Sequence, residues 1–271
     1  MAARLNYVLH RGERSSPALL LIHPLGADLT FWDECIAVWQ PLLTCIACDL
    51  QSAGASPRAS APVTMAQHAD DLEALRQELG VASVVPIACA IGSMVAAHYA
   101  ATRAEHVPAL VLSNPALRTS QAAKAMLTDR ARAVRNGGMS AILPGAVDRA
   151  FLEQPKDARY ERYYARFAAQ DAEAYALSAL AVLDADASDD LAALRCPTLV
   201  VAGGHDVLLP PEQSRAVHAL IPGAQFHQLA DAAHFAPLQQ PLAFAKRVVD
   251  FLDRPGIADS TRRNAISGAV T

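Results

Sequence analysis

Two ionisable side chains lie in loops that could bring them together for acid–base chemistry. Asp206 lies in the glycine-rich stretch "GGHDVLLPPE", and His234 lies in "ADAAHFAPLQQP". A carboxylate that accepts a hydrogen bond from an imidazole orients the ring and stabilises its protonated form, so the pair works as a general base. We therefore predict a pair formed by His234 and Asp206. The alternative is that Asp206 only caps the helix that follows it.

A turn of small residues, "ACAIG" at 88–92, has the pattern of a nucleophile elbow without a nucleophile. In such an elbow the central residue takes a strained conformation, and the residues two before and two after it must be small. Centring the elbow on Ala90 places Ala88 and Gly92 at those positions, and neighbouring centres place isoleucine there. We therefore predict Ala90 at the nucleophile position and Cys89 as a buried thiol.

The segment "HPLGADLTFWD" follows an aliphatic run at 18–22 and is a candidate for stabilising negative charge. Pro24 has no N–H group, so the free donors of this turn begin at Leu25, and Gly26 permits a tight backbone path. The Leu25 amide is therefore a predicted oxyanion donor, unless the segment is an ordinary strand-to-helix turn. Trp32 is predicted beside this turn, either as a substrate-binding residue or as part of the core.

Two further spacings resemble metal sites, but neither predicts one. Cys45 and Cys48 lie in "LLTCIACDL", which has the composition of a strand, and residues three apart on a strand point to opposite faces. His227 belongs to a predicted strand, whereas Asp231 and His234 belong to the loop after it. We therefore predict no metal ion.

The scaffold for these residues is predicted from an alternation of short aliphatic runs and amphipathic helical segments. The runs lie at 18–23, 43–48, 83–88, 108–113, 197–202 and 224–229. This alternation predicts an α/β fold with a mostly parallel, doubly wound sheet, and "RLNYVLHRG" is predicted to add an antiparallel edge strand. Ligands bind at the carboxyl ends of such strands, which is where the candidate residues follow their runs.

One long stretch interrupts the alternation. Residues 118–190 hold no convincing strand but several alanine-rich helical pieces, so we predict a helical cap inserted over the carboxyl ends of the strands. The predicted core is then 1–117 together with 191–255. Residues 256–271 are polar and are predicted to form a C-terminal tail.

Composition excludes several classes of protein. The chain has 271 residues, of which 52% are hydrophobic and 18% charged, as is usual for a packed globular protein. A net charge of −4 offers no basic surface for nucleic acid, and no apolar run is long enough for a membrane span or a secretory signal. We therefore expect a cytoplasmic protein without nucleic acid or membrane partners. The oligomeric state stays open, a homo-oligomer included.

The chain resembles the α/β-hydrolases over nearly its whole length, and within them it is most similar to the β-ketoadipate enol-lactone hydrolases. The elbow, the acid and the histidine follow one another in the order of an α/β-hydrolase triad. The matching segments are "LLLIHPLGADLTFWDE", "CDLQSAGASP", "HADDLEALRQELGV", "GSMVAAHYAATRAEHVPALVLSNPA", "CPTLVVAGGHDVLLPPE" and "AAHFAPLQQPLAF".

The resemblance implies a hydrolase that needs no cofactor and acts on a small-molecule ester or lactone. Asp206 and His234 would be two members of its triad, and the amides of Leu25 and Ile91 would form its oxyanion hole. Arg118, at the base of the cap, would then bind a substrate carboxylate. The alternative for Arg118 is a solvated arginine at the start of a helix.

The departures from the family pattern leave three hypotheses open. The family's G-x-S-x-G-G corresponds here to "ACAIGS", with Ala90 in place of the serine, and "DLQSAGAS" lacks the usual arginine and histidine. Ala90 is either an engineered replacement of a catalytic serine or a natural residue of an enzyme that uses His234 and Asp206 as a general base. Such a base would act on water, or in a lyase, isomerase or decarboxylase step. The third hypothesis is a binding protein without catalysis.

Overall fold

The sheet has seven strands and is described here from a computed structural model that covers residues 2–255 and 257. The strands are β1 (Tyr7–His10), β2 (Arg14–Ile22), β3 (Leu43–Cys48), β4 (Val84–Cys89), β5 (Leu110–Ser113), β6 (Thr198–Gly203) and β7 (Gln225–Leu229). Their order across the sheet is β1-β3-β2-β4-β5-β6-β7, and only β1 runs antiparallel to its neighbour. The predicted mostly parallel α/β sheet, with its antiparallel edge strand, is confirmed.

Helices cover both faces of this sheet. Seven of them pack around it: α1 (Asp33–Trp39), α2 (Met65–Glu78), α3 (Gly92–Thr102), α8 (Ser188–Ala193), α9 (Pro211–Leu220), α10 (Ala236–Gln239) and α11 (Pro241–Leu252). Trp39 of α1 and Phe244 of α11 belong to one buried cluster, whereas Leu72 of α2 and Val95 of α3 belong to another. The sheet therefore separates two hydrophobic cores, as a doubly wound fold requires.

The segment between β5 and α8 consists of helices, which we call the cap helices. They are α4 (Gln121–Gly137), α5 (Gly145–Ala150), α6 (Ala158–Ala168) and α7 (Ala172–Ala181). An isolated bridge between Arg118 and Asp186 joins the two ends of the segment. The predicted boundary at 190 falls inside α8, which packs on α3 and α9. The division into core and cap units stays a prediction, and the predicted tail 256–271 lies outside the described residues except for Ile257.

None of the helices in the described part of the chain combines the length and the apolar composition that are needed to cross a membrane.

A close approach of α3 to the end of β2 depends on Gly92. A Cβ atom built on Gly92 would lie 2.6 Å from the backbone oxygen of His23 and 3.1 Å from that of Ile22. Side chains do not approach a backbone oxygen so closely, so only glycine allows α3 to start at this place. The position of Gly92 thereby fixes the turn that precedes α3.

Gly92→Ala is expected to destabilise the protein by about 1–3 kcal/mol, because the added methyl group forces α3 away from β2. Urea unfolding measures this difference. Gly145→Ala is the control, since nothing lies within 4 Å of a Cβ built there, and it should change stability by less than about 0.5 kcal/mol. Equal unfolding midpoints for the two variants would contradict the proposed steric role.

Candidate active site

A cleft of about 890 Å³ lies between the cap helices and the carboxyl ends of the strands. Five residues predicted from the sequence line this cleft: Leu25, Ala90, Ile91, Arg118 and His234. They come from three different strand ends and from the first residues of the cap segment, so the fold brings together parts of the chain that are far apart in sequence. The rest of the wall is mainly apolar, with Met126, Leu127, Phe167, Leu208 and Phe235 among its residues.

His234 and Asp206 form the predicted hydrogen-bonded pair. His234 Nδ1 lies 3.1 Å and 3.0 Å from the two carboxylate oxygens of Asp206. The Asp206 side chain is completely buried behind the ring, whereas the His234 side chain remains 12% exposed. An ionised carboxylate only accepts hydrogen bonds, so Nδ1 carries the proton and Nε2 keeps its lone pair. Among the described residues, Nε2 has no hydrogen-bond partner, which leaves it available as a base.

Asp206 remains a carboxylate although it is buried. Burial acts to raise the pKa of Asp206, but His234, the Leu209 amide and Asn114 outweigh it and lower the pKa below its ordinary value. Asp206 Oδ1 accepts hydrogen bonds from the amides of Leu208 and Leu209, both at 2.9 Å. These amides belong to the turn before α9. Asp206 therefore caps this turn, as the alternative interpretation held, and it bonds His234 as well.

Asn114 also belongs to this site, and the sequence analysis missed it. It directly follows β5, has a left-handed φ of 47°, and is completely buried. Its Nδ2 donates to Asp206 Oδ2 at 2.9 Å and to the Ala233 carbonyl at 3.0 Å, while Ser113 Oγ donates to its Oδ1 at 2.9 Å. Asn114 thus joins the acid to the loop of His234. Asparagine tolerates a left-handed backbone, so its position after a predicted strand was a usable signal.

The turn between β4 and α3 has the geometry predicted for a nucleophile elbow. Ala90 at its apex has a left-handed φ of 51°, and its amide donates to the Ser113 carbonyl at 2.9 Å. Ala88 before it is completely buried. Cys89 is also completely buried, and burial raises the pKa of its thiol well above the ordinary value. The structure therefore places a methyl group at the apex and an unreactive thiol beside it.

Leu25 and Ile91 line the cleft together with Ala90. Neither the Leu25 amide nor the Ile91 amide has an acceptor among the residues that the structure describes. The turn of Leu25 is held by His23, whose Nδ1 donates to the Pro24 carbonyl at 2.9 Å and whose Nε2 accepts from the Leu50 amide at 3.0 Å. Burial lowers the pKa of His23, so its ring stays neutral and keeps this bonding pattern. Two N–H groups without an acceptor among the described residues thus belong to residues that line one cleft.

Trp32 lies in the core instead of the cleft, which corrects the prediction of a substrate contact. Its side chain is completely buried. Its ring lies 5.0 Å from Phe31, 6.5 Å from Trp39 and 6.4 Å from Phe244, between ring centroids. The alternative given for it, a place in the core, matches this aromatic cluster because packing on three large rings removes the indole from solvent.

Two arginines lie on the cleft wall without a carboxylate partner among the described residues. Arg118, which the sequence indicated, bridges Asp186 through its backbone. Arg130 of α4 was missed. Burial raises the pKa of Tyr175, another residue of the cleft, and the charge of Arg130 acts to lower it against this larger effect. Helical periodicity did not show which face of α4 would turn toward the cleft. Besides the hydrogen bonds from Ser188, Arg118 acts to lower the pKa of the nearby Asp186, but neither guanidinium forms a salt bridge within residues 2–255, so both can contact an anionic ligand.

The spacings that resembled metal sites can now be placed in the fold. Cys45 packs into the core on one face of the sheet and Cys48 into the core on the other, as expected for a strand. Within the described residues, no three His, Cys, Asp or Glu side chains are grouped in a way that could hold a metal ion.

The arrangement suits the attack of an oxygen nucleophile on a carbonyl group. His234 Nε2 offers a base, and the amides of Leu25 and Ile91 offer donors for the negative charge that develops on the carbonyl oxygen. The apolar wall strengthens these interactions because it excludes water.

Comparison with known proteins shows which family and which relatives the chain is similar to. The family described as "alpha/beta hydrolase fold" matches residues 17–241. The 3-oxoadipate enol-lactonase 2 of Acinetobacter baylyi is 26% identical over 259 residues, which are 92% of this chain and 93% of that protein. A protein of Klebsiella pneumoniae named "Putative carbamate hydrolase RutD" is 28% identical over 226 residues, 81% of this chain and 85% of its own.

A solved structure extends the similarity to three dimensions. The enol-lactonase from Burkholderia xenovorans LB400 is 28% identical and has a TM-score of 0.86, with 92% of this chain and 96% of that chain covered. The likeness therefore includes the cap helices as well as the sheet.

Asp206→Asn is expected to make the free energy of unfolding less dependent on acid pH. The lowered pKa of Asp206 means that the unfolded chain takes up its proton first as the pH falls. The carboxylate therefore stabilises the fold fully above its ordinary pKa of about 4, and this contribution is lost as the pH falls through the lowered value. The stability difference between wild type and variant, measured by urea unfolding, should shrink on acidification. The exposed Asp231→Asn is the control, and a difference that stays constant with pH would contradict the prediction.

Proposed function

Because the chain belongs to the alpha/beta hydrolase fold family, we propose that it hydrolyses the ester, lactone or carbamate bond of a small molecule. One observation carries the proposal. His234, bonded through Nδ1 to Asp206, lines the same cleft as two amides without an acceptor among the described residues. The named activities of the enol-lactonases and of the carbamate hydrolase relative support a carbonyl compound as the substrate.

The proposed reaction uses water as the nucleophile. His234 Nε2 takes a proton from a water molecule while the water oxygen bonds to the carbonyl carbon. The carbonyl electron pair moves to its oxygen, which accepts hydrogen bonds from the amides of Leu25 and Ile91. Asp206 stabilises the imidazolium. The imidazolium then gives its proton to the leaving oxygen or nitrogen as the bond to carbon breaks, and the acid and the leaving group are released.

Because residue 90 is an alanine, the proposed nucleophile is water and not a protein side chain. The alanine methyl group stands at the apex of the elbow, where it lines the cleft together with His234. It has no hydroxyl, and the buried thiol of Cys89 beside it does not line the cleft. No covalent acyl-enzyme is therefore part of the proposed reaction.

A serine-dependent hydrolase is the second candidate, and the backbone of Ala90 favours it. The left-handed φ of 51° costs on the order of 1–2 kcal/mol for a residue with a Cβ. Attack by water does not require this strain, whereas a nucleophile elbow does. A chain that had lost its serine, by engineering or otherwise, would keep the same backbone.

The cleft also favours a substrate that carries a carboxylate. Arg118 and Arg130 are cations on a mainly apolar wall, and neither forms an ion pair within the described residues. A carboxylate on the substrate would bind them through charge-assisted hydrogen bonds. We therefore propose that the acid part or the leaving group of the substrate is anionic.

His234→Ala is expected to lower the turnover of para-nitrophenyl acetate by about 10²- to 10⁴-fold, which is the usual contribution of a positioned base. Steady-state release of nitrophenol at neutral pH measures the effect. His218→Ala is the matched control, since its ring bonds the Ala224 carbonyl at 3.0 Å and does not line the cleft. Equal rates for His234→Ala and the unsubstituted protein would refute the proposed base.

Ala90→Ser separates the two mechanisms. Under the proposed one, the unsubstituted protein turns over without an acyl adduct, and mass spectrometry finds an adduct only in the serine variant. If the unsubstituted protein is inert and the variant is active, the chain is a serine hydrolase without its serine. If both are inert while esters bind to the cleft, the protein is a binding protein.

Arg118→Ala and Arg130→Ala are each expected to raise KM for carboxylate-bearing esters by about 10- to 100-fold, the effect of one lost charge-assisted hydrogen bond. KM for neutral esters of the same size should stay unchanged. Arg132→Ala is the control, because Arg132 pairs with Asp129 at 3.2 Å and does not line the cleft. Equal increases for charged and neutral esters would show that the arginines do not recognise charge.

A further inference from the structure

Gln239 is a buried polar residue that contacts the loop of His234 without touching the ring. Its side chain is only 5% exposed, at the end of α10. Gln239 Oε1 accepts hydrogen bonds from the amides of Ala233 at 2.9 Å and Phe235 at 3.1 Å. These are the two residues on either side of His234. A single oxygen thus holds the backbone before and after the proposed base.

The other end of the same amide reaches a different part of the molecule. Gln239 Nε2 donates to the carbonyl of Ala150 at 2.9 Å. Ala150 is the last residue of α5, one of the cap helices, and it lines the cleft. The orientation of the amide is unambiguous, because the reverse one would place an NH₂ group against two N–H donors and an oxygen against a carbonyl oxygen.

Each hydrogen bond of Gln239 is formed where water has little access. Ala233, Phe235 and Ala150 are at most 4% exposed. Breaking one of these bonds leaves a buried donor or acceptor without a partner, and this costs more than the loss of an exposed hydrogen bond. The loop is also held from the opposite side by Asn114, which donates to the Ala233 carbonyl at 3.0 Å. The His234 loop therefore has a fixed anchor on the sheet and a second anchor that depends on α5.

We propose that Gln239 is a positioning residue that couples the seating of α5 to the orientation of His234. When α5 is in place, the bond to Ala150 orients the amide, and the amide oxygen fixes the backbone on both sides of the base. When α5 moves away, the amide loses its bond to Ala150 and is no longer held in place against the amides of Ala233 and Phe235, whereas the bonds of the loop to Asn114 and Asp206 remain. The catalytic consequence rests on the proposed function, whereas the structural coupling does not.

Two variants and one control test the coupling by hydrogen exchange with mass spectrometry. Gln239→Glu keeps an acceptor for the two loop amides but loses the donor to Ala150. Because the coupling makes the loop depend on the bond to Ala150, we expect exchange to rise about tenfold or more in 145–151, as for a lost buried hydrogen bond, and to rise at 232–235 as well. A rise confined to 145–151 in this variant would overturn the coupling. Gln239→Leu removes both functions, and exchange should rise in both segments. Gln240→Leu is the control, since the side chain of Gln240 has one hydrogen bond among the described residues, to the exposed Asp231 carbonyl at 3.3 Å, and both segments should stay unchanged.

If the buried glutamate in Gln239→Glu prevents folding, the exchange measured in Gln239→Leu alone tests the proposal. If hydrogen exchange in Gln239→Leu rises only at 232–235, the coupling is overturned, because α5 then does not depend on its bond to the Gln239 amide. Unchanged exchange at 232–235 in Gln239→Leu would show that Gln239 does not hold the His234 loop. A rise in both segments supports the proposal.

Kinetics show whether the coupling matters for the reaction. Gln239→Leu should lower kcat for para-nitrophenyl acetate by about tenfold, in line with a lost buried hydrogen bond, while KM changes less. An unchanged kcat with altered exchange would mean that positioning of the loop is not needed for turnover, and would overturn the catalytic part. If His234→Ala has no effect on turnover but the exchange pattern is as expected, the proposed function fails and the coupling stands.

Discussion

The hydrogen bond between the buried carboxylate of Asp206 and Nδ1 of His234 sets the conditions that the surrounding structure must meet. A carboxylate without solvent must be given donors, or it will take up a proton and no longer hold the imidazole. The amides before α9 and the side chain of Asn114 supply those donors. The imidazole must also point its other nitrogen at the substrate, and this depends on how its loop is fixed by Asn114 and Gln239.

The sequence was sufficient for the parts of the site that depend on local backbone chemistry. The turn centred on Ala90 was predicted because its neighbours must be small, and the left-handed φ of Ala90 agrees with it, whereas the role of the Leu25 amide as a donor stays a prediction. Central strands such as β4 and β5 were found because parallel strands that are buried on both faces are mainly apolar, whereas β7 is only partly buried and contains Gln225, His227 and Gln228. β2 begins earlier than predicted. Its first residues, "RSS", are polar and at least partly exposed, so their composition did not indicate a strand.

The parts that were missed depend on contacts between distant segments. Arg130, Gln239 and Trp32 lie on helical segments whose type was predictable, but the partner of each side chain is set by how those segments pack. Gln239 meets Ala150 across 89 residues of sequence, and no local pattern encodes such a meeting. A tryptophan such as Trp32 can either bind a ligand or pack in a core, and its type alone does not decide between the two. The neighbouring rings of Trp39 and Phe244 show that it packs in the core.

The paired ends of the cap segment have a consequence for how this protein can change. The Leu117 carbonyl accepts from the Ala187 amide at 2.9 Å, and the Ala185 carbonyl accepts from the Thr119 amide at 3.0 Å, on either side of the Arg118–Asp186 bridge. The cap segment thus leaves and rejoins the rest of the fold at one place, where its two ends are hydrogen-bonded to each other. Lengthening or shortening a chain whose ends stay together alters its closure entropy only slowly. The cap segment can therefore change in length at little entropic cost to its closure, provided that the bond between Ala150 of α5 and Gln239 is kept.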